Sequence, residues 1–133
     1  MRSTSDAFHI AIPTRSLPEA EHFYRQLLGC PLARRYDDRL TFDFFGDQLV
    51  CHLSPEEESQ SPDLYPRHFG ITFHNRTDFD ALLRLVELRK VPVFREEQLR
   101  FPGTVEEHST LVLIDPTENL LEFKHYIDPR MMF

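Results

Sequence analysis

The order of secondary-structure elements predicted for the first half of the chain recurs in the second half. Alternating apolar residues predict a strand over residues 8–12, and a single apolar stripe predicts a helix over residues 17–28. Ser16 and Glu19 have the spacing of a capping box at the start of this helix, and Gly29 ends it. Three short strands are predicted next, at residues 32–36, 40–45 and 48–53.

The second copy begins after residues 54–66, a segment whose prolines and acidic residues are typical of a loop. A strand is predicted over residues 68–74 and a helix over residues 78–89, capped by Thr77 or Asp78. Three strands are predicted to follow, at residues 91–95, 110–114 and 120–126, with a turn over residues 115–119 between the last two.

Two βαβββ modules predict an α+β fold. The eight strands are expected to form a mixed, curled sheet with the helices on one face and a cleft on the other. At 133 residues the chain has the length of one domain. We therefore expect a single domain over residues 1–133, with module one at about 8–53, a linker at 54–66 and module two at about 67–126.

Composition narrows the classes of partner. The formal net charge of −7 argues against a nucleic-acid binder. No apolar run approaches the ~20 residues of a membrane span, and the polar first residues do not resemble a secretory signal. Cys30 and Cys51 are too few for a disulfide framework and are expected to be buried, reduced thiols of a cytoplasmic protein.

Strand parity selects four residues that are able to bind a metal ion. His9, His52, His68 and Glu122 each alternate with apolar neighbours, which places them on the face opposite the helices. His9 and His68 occupy the first predicted strand of each module, whereas His52 and Glu122 occupy the last. If a pseudo-twofold axis relates the modules, all four side chains can converge on one ion.

The residues alone leave other interpretations open. A single histidine among apolar residues is more often a core or surface residue than a ligand, and Glu122 is equally compatible with a solvent-facing position on an edge strand. As ligands, imidazoles with a carboxylate suit iron(II), manganese(II), nickel(II) or zinc(II), and two histidines with one carboxylate form the facial triad of non-haem iron oxygenases.

Four segments of the chain carry a family resemblance: FHIAI with His9, FYRQLLG, HFGI with His68, and DPTENLLEFKHY with Glu122. Together they resemble the vicinal oxygen chelate superfamily, which contains glyoxalase I, extradiol dioxygenases, and fosfomycin- and bleomycin-resistance proteins. The resemblance covers about residues 8–126 and implies the fold of that superfamily.

The resemblance also implies a ligand set. His9 or its counterpart His68, together with Glu122, correspond to metal ligands, with a divalent ion as the cofactor. His52 lies where glyoxalase I carries a further carboxylate ligand, so this chain departs from the glyoxalase pattern there. The bleomycin-resistance branch lacks these ligands, and their presence here disfavours that branch.

The chemistry implied by this family is chelation of two neighbouring substrate oxygens by the metal. Iron(II) is the favoured ion, and with it the expected activity is a ring opening like that of extradiol dioxygenases. With nickel or zinc, the alternative is a glyoxalase I-like lyase or isomerase, for which Glu122 is also a candidate base. A non-catalytic module that sequesters a small molecule or confers drug resistance is the alternative of another class.

Three further residues are candidates for substrate binding. Lys124 and Tyr126 share parity with Glu122, although a strand end that reaches solvent also explains them. Arg100 falls in residues 96–108, predicted as a long loop over the cleft, and is either a clamp for a substrate carboxylate or a solvated charge. A homodimer is expected from the resemblance, with the metal site formed within one chain or across two.

Overall fold

A computed structural model describes residues 1–59 and 61–133. The chain divides into two compact units, Met1–Gln60 and Ser61–Phe133, whose boundary falls within the predicted linker. Each unit has the βαβββ order expected from the sequence, and the α+β class is confirmed. The eight strands are distributed over two four-stranded mixed sheets, one in each unit.

The first unit consists of one sheet and one helical segment. Its sheet has the order β1-β4-β3-β2, with β1 parallel to β4 and the other pairs antiparallel. The elements are β1 (His9–Thr14), α1 (Leu17–Glu21), a π-helical stretch (His22–Leu27), β2 (Leu32–Arg35), β3 (Arg39–Phe44) and β4 (Asp47–Leu53).

The second unit repeats this topology. Its sheet has the order β5-β8-β7-β6, with β5 parallel to β8, so that first and last strands are again neighbours. The elements are β5 (Phe69–Thr72), α2 (Arg76–Arg89), β6 (Val93–Arg100), β7 (His108–Ile114), β8 (Leu120–Tyr126) and a 3-10 turn (Pro129–Met132).

Helix boundaries follow the local sequence with two differences from prediction. The Ser16 side chain caps α1 by accepting a hydrogen bond from the Glu19 backbone N–H, as the capping-box pattern predicts. The predicted continuous helix over residues 17–28 changes to π-helical geometry at His22. The second helix starts two residues earlier than predicted, with Asn75 as its N-cap.

The predicted long loop over residues 96–108 is wrong. β6 continues to Arg100 and pairs with β7, with register shifts between Val93 and Gln98, so the connection spans only residues 101–107. The charged sequence of β6 explains the error: five of its eight residues are exposed and none is buried, so the apolar alternation of a half-buried strand is lost at this edge of the sheet.

Each unit buries its own phenylalanine-rich core beneath the helix. In the first unit Tyr24 packs against Phe23 and Phe42, with ring centroids 4.9 and 5.4 Å away. In the second, Phe123 stacks on Phe73 at 6.2 Å. Both cysteines are buried, as expected, and burial raises the pKa of the Cys30 thiol to about 12.

None of the helices in the described part of the chain has the length and apolar character required to cross a membrane.

Candidate functional site

The second unit brings His68 and Glu122 into direct contact. His68 Nε2 lies 3.1 Å from Glu122 Oε2, with the Glu122 side chain 8% and the His68 side chain 26% exposed. The parallel register between β5 and β8 explains the contact, because Gly70 pairs with Glu122 and His68 precedes β5 on the same face. A buried carboxylate beside an accessible imidazole is a candidate reactive site.

A backbone carbonyl fixes the orientation of His68. Its Nδ1 lies 2.7 Å from the Leu64 carbonyl oxygen. A carbonyl oxygen only accepts, so Nδ1 donates, and the second ring nitrogen is the one that faces Glu122. Histidine ligands of metals characteristically donate their other ring N–H in this way.

The two oxygens of Glu122 have different partners. Oε1 accepts a hydrogen bond of 3.0 Å from the Thr110 hydroxyl. Oε2 faces His68 and lies 3.5 Å from Lys124 Nζ. Thr110 therefore orients the carboxylate and leaves Oε2 as the oxygen presented to a ligand. Thr110 was missed from sequence, although it is one of two polar residues in the buried stretch of β7.

Gly70 is required where β5 approaches Glu122. A Cβ built on Gly70 would lie 1.8 Å from the Glu122 carbonyl oxygen, a distance that no side chain can adopt. The close approach of the two strands at this point therefore depends on a residue without a side chain.

An apolar cluster borders the pair. Leu64 is 3% exposed and packs with Val112 and Leu120, and Phe94 and Ile114 contact the cluster from its edge. Val112 also pairs directly with Glu122 in the sheet. Because these side chains exclude water from one side of the carboxylate, they strengthen its interactions with nearby charges.

The donor set fits a divalent metal ion. Ligands at about 2.0–2.2 Å from a common ion and at near right angles stand about 3 Å apart, and the observed separation of Nε2 and Oε2 is 3.1 Å. Without a metal, a protonated His68 would instead donate a hydrogen bond to the carboxylate. Within either unit, the described residues hold no group of three or more candidate ligands. The pair would therefore supply two ligands, and a complete metal site would need a third.

His9 and His52 lie far apart in the first unit. His9 pairs with Gln48, whereas His52 pairs with Pro13, four residues further along the same parallel strands. That offset corresponds to about 13 Å. Strand side chains stand roughly perpendicular to the sheet, so this register does not bring the two imidazoles to one ion.

The pairing registers also show which residues of the two units correspond. His9 and His68 each lie seven residues before a helix N-cap, Ser16 and Asn75. The parallel register places one residue of β8 opposite His68, and Glu122 lies two residues after it. In β4, the residue two positions after the partner of His9 is Val50, which therefore corresponds to Glu122. By the same register, His52 matches Lys124 rather than Glu122. The predicted element order had placed His52 and Glu122 on the last strand of each module, and parity had placed them on one face. Neither determines the register in which strands pair.

The three predicted substrate-binding residues lie on the Glu122 face of the second sheet. Lys124 is the next β8 residue on that face, and Tyr126 is the one after it. Tyr126 pairs with His108, which pairs with Arg100 at the end of β6. The rings of His108 and Tyr126 have centroids 4.5 Å apart, and the Arg100 guanidinium lies 5.4 Å from the Phe101 ring.

Comparison with solved structures gives both near and distant relatives. The structure of a glyoxalase/bleomycin resistance protein/dioxygenase from Alicyclobacillus acidocaldarius is 56% identical, with a TM-score of 0.94 over 100% of both chains. A lactoylglutathione lyase from Agrobacterium tumefaciens is 16% identical, with a TM-score of 0.69 over 99% of this chain and 100% of that one.

A genomically encoded fosfomycin resistance protein from Listeria monocytogenes is 14% identical, with a TM-score of 0.69 over 98% of this chain and 99% of that one. At these identities the last two show a shared fold alone. Comparison with curated proteins gave no match.

A family model matches residues 7–123, from just before β1 into β8, and so includes the segments that carried the resemblance in the sequence. The chain belongs to the Glyoxalase/Bleomycin resistance protein/Dioxygenase superfamily.

Proposed function

We propose that this protein is a metal-dependent enzyme that binds two neighbouring oxygens of a small substrate, with His9, His68 and Glu122 as metal ligands. The observation that carries the proposal is the contact between His68 Nε2 and Glu122 Oε2 at 3.1 Å, with His68 oriented by a carbonyl and Glu122 by a hydroxyl. Members of this superfamily commonly use divalent metals.

His52 is left out of the proposed ligand set. It is four residues out of register with the partner of His9, and the residue that matches Glu122 in the first unit is Val50. What remains is two histidines and one carboxylate, the set typical of non-haem iron(II) oxygenases. This set supports an extradiol-dioxygenase-like ring opening over a four-ligand, glyoxalase-like site.

The chain's own residues have distinct roles in this proposal. A bound iron(II) would supply open coordination positions for two substrate oxygens and for dioxygen. Thr110 holds Glu122 so that Oε2 faces the ion, and the Leu64 cluster excludes water from one side. Lys124, Tyr126 and Arg100 bind the rest of the substrate. If the ion is nickel or zinc, Glu122 is the candidate base for a proton transfer.

The decisive experiment is elemental analysis of untagged protein purified without chelator. We expect about one equivalent of iron, manganese, nickel or zinc. His9→Ala and His68→Ala should lose at least nine tenths of it, whereas the matched control His52→Ala should retain it. Retention in His68→Ala, or loss in His52→Ala, would contradict the ligand set.

The identity of the ion separates the candidate activities. If the ion is iron, the activity to assay is oxygen uptake with catechols. If the ion is nickel or zinc, the activity to assay is the isomerisation of hemithioacetals. If the protein holds no metal and takes none up on reconstitution, the enzyme proposal fails. Binding of small molecules unaffected by chelator would then support a non-catalytic module.

We also propose a homodimer, in which His9 and Glu122 of one site come from one chain or from two. Light scattering measures the assembly, and mixing His9→Ala with Glu122→Gln tests the origin of the ligands. If the site is shared between chains, refolding the mixture restores metal binding at a fraction of sites. If each site lies within one chain, the mixture stays as defective as its components.

A further inference from the structure

The face of the second sheet that carries Glu122 also carries several cations, among them Lys124 and Arg100. Lys124 is the next residue of β8 on this face, and Arg100 lies one row further, level with Tyr126 and His108. This concentration of positive charge is notable in a chain whose formal net charge is −7.

Among the described residues, the one salt bridge of Lys124 is to the carboxylate that a metal would use. Its Nζ lies 3.5 Å from Glu122 Oε2, the same oxygen that faces His68, and its side chain is 28% exposed. A divalent ion bound to Oε2 would replace Lys124 as the neighbour of that oxygen and repel its ammonium group. The loaded site would therefore hold an ammonium that has no other salt bridge among the residues the structure describes.

Arg100 adds a second charge beside an aromatic surface. Its guanidinium lies over the Phe101 ring at 5.4 Å, an arrangement that leaves the in-plane N–H donors available to an oxyanion. The Phe101 and Tyr126 rings flank the His108 ring at 5.9 and 4.5 Å. An aromatic or otherwise flat substrate would meet apolar surface between the two cations.

We propose that the substrate is a metal-chelating compound that also carries a carboxylate or a similar oxyanion, and that Lys124 binds this group, with Arg100 adding attraction from the next row. The inference rests on the proposed function, since it assigns the substrate class of the same site. Its physical basis is that metal binding to Glu122 leaves Lys124 in need of an anionic partner.

The test compares two ligands that differ only in charge. Protocatechuate, a catechol with a carboxylate, and its uncharged amide are titrated into metal-loaded protein without oxygen. We expect protocatechuate to bind at least tenfold more tightly than the amide.

Variants test whether Lys124 is the source of this preference. Lys124→Met should abolish most of the preference, Lys124→Arg should retain it, and Arg100→Met should reduce it a few-fold. Lys90→Met, at the only other lysine of the chain, serves as the matched control.

Metal binding provides an independent readout. Removing the ammonium beside Oε2 should leave the metal affinity of Lys124→Met equal to that of the native protein or higher. If both catechols bind in a metal-dependent manner but Lys124→Met keeps the preference for the anion, the inference is wrong and the proposed function stands. If neither binds in a metal-dependent manner, both are wrong.

Discussion

The two units share a scaffold but differ at the position proposed for the carboxylate ligand. Both place a histidine seven residues before a helix N-cap, and both pair their first and last strands in parallel. Two residues along the last strand, the second unit has Glu122 and the first has Val50. The duplicated fold therefore provides the same two residue positions in each copy, and of the two copies the second carries both proposed ligand types there.

A second difference between the units concerns the backbone beside Glu122 and Val50. The residue that pairs with Glu122 is Gly70, and the residue that pairs with Val50 is Ala11. A Cβ fits in the first unit but would collide with a carbonyl oxygen in the second. The backbone of the second unit thus leaves no space for a Cβ opposite the carboxylate residue.

The largest expected effect comes from removing the charge that distinguishes the units. Glu122→Gln keeps the side-chain volume but removes the anionic ligand, so we expect metal affinity to fall at least tenfold. Val50→Gln, at the matching position, should leave it unchanged. Competition titration with a metal indicator measures both, and thermal unfolding without metal checks that the variants fold. Equal metal affinity in Glu122→Gln and the native protein would make Glu122 a structural residue.

The next effect tests the close approach of the strands. Gly70→Ala places a Cβ 1.8 Å from the Glu122 carbonyl oxygen, and overpacking of this kind typically destabilises by about 1–3 kcal/mol. The reciprocal change Ala11→Gly should cost only about 0.5–1 kcal/mol through backbone entropy. Urea denaturation of the metal-free proteins measures both, and similar losses would show that the second unit accommodates the added Cβ.

The ends of the two helices give a smaller contrast. Gly29 follows the first helical segment with φ of 86°, and Lys90 ends α2 with φ of 53°. A side chain disfavours this left-handed region by roughly 1–2 kcal/mol, partly offset by the extra freedom of glycine in the unfolded chain. Lys90→Gly should therefore stabilise by about 0.5 kcal/mol, whereas Gly29→Ala should destabilise. Denaturation midpoints of the two variants test the opposite signs.

The smallest effect concerns an ion pair of the first unit only. Hydrogen bonds from Arg35 and Arg25 hold the pKa of Glu21 below its ordinary value. A carboxyl whose pKa is lowered on folding contributes stability above its unfolded pKa and loses it as pH falls through the folded value. Glu21→Gln should cost about 0.5 kcal/mol at neutral pH and nothing in strong acid. Unfolding curves at pH 7 and pH 2 would show a constant difference if the pair were unimportant.

Much of the fold could be predicted because its signals are local. The capping box at Ser16, the turn at Asp115 and the alternation within β8 depend on neighbours in the sequence. The Asp115 carboxylate accepts backbone hydrogen bonds from Thr117 and Asn119, as turn chemistry requires. The extent of β6 could not be predicted, because this edge strand pairs through its backbone while its charged residues lack the apolar alternation that indicates a strand.

For the site, strand parity predicted which residues share a face of a sheet, but not their register or their contacts. Parity identified His68 and Glu122 as residues of one face, and the structure places them 3.1 Å apart. Parity could not decide whether His52 or Val50 is the β4 residue that corresponds to Glu122, because both lie on the same face of β4 and differ only in register. Thr110 was missed because its role depends on pairing between β7 and β8, which the sequence does not reveal.

The hydrogen bond from His68 to Leu64 makes the orientation of a candidate ligand resistant to substitution. The acceptor is a backbone carbonyl, an atom that every amino acid supplies, so no replacement of Leu64 removes it. Substitution there would loosen the apolar cluster while the imidazole kept its acceptor. What would turn the ring is a change in the path of the backbone, so insertions or deletions just before β5 should affect this site more than point substitutions do.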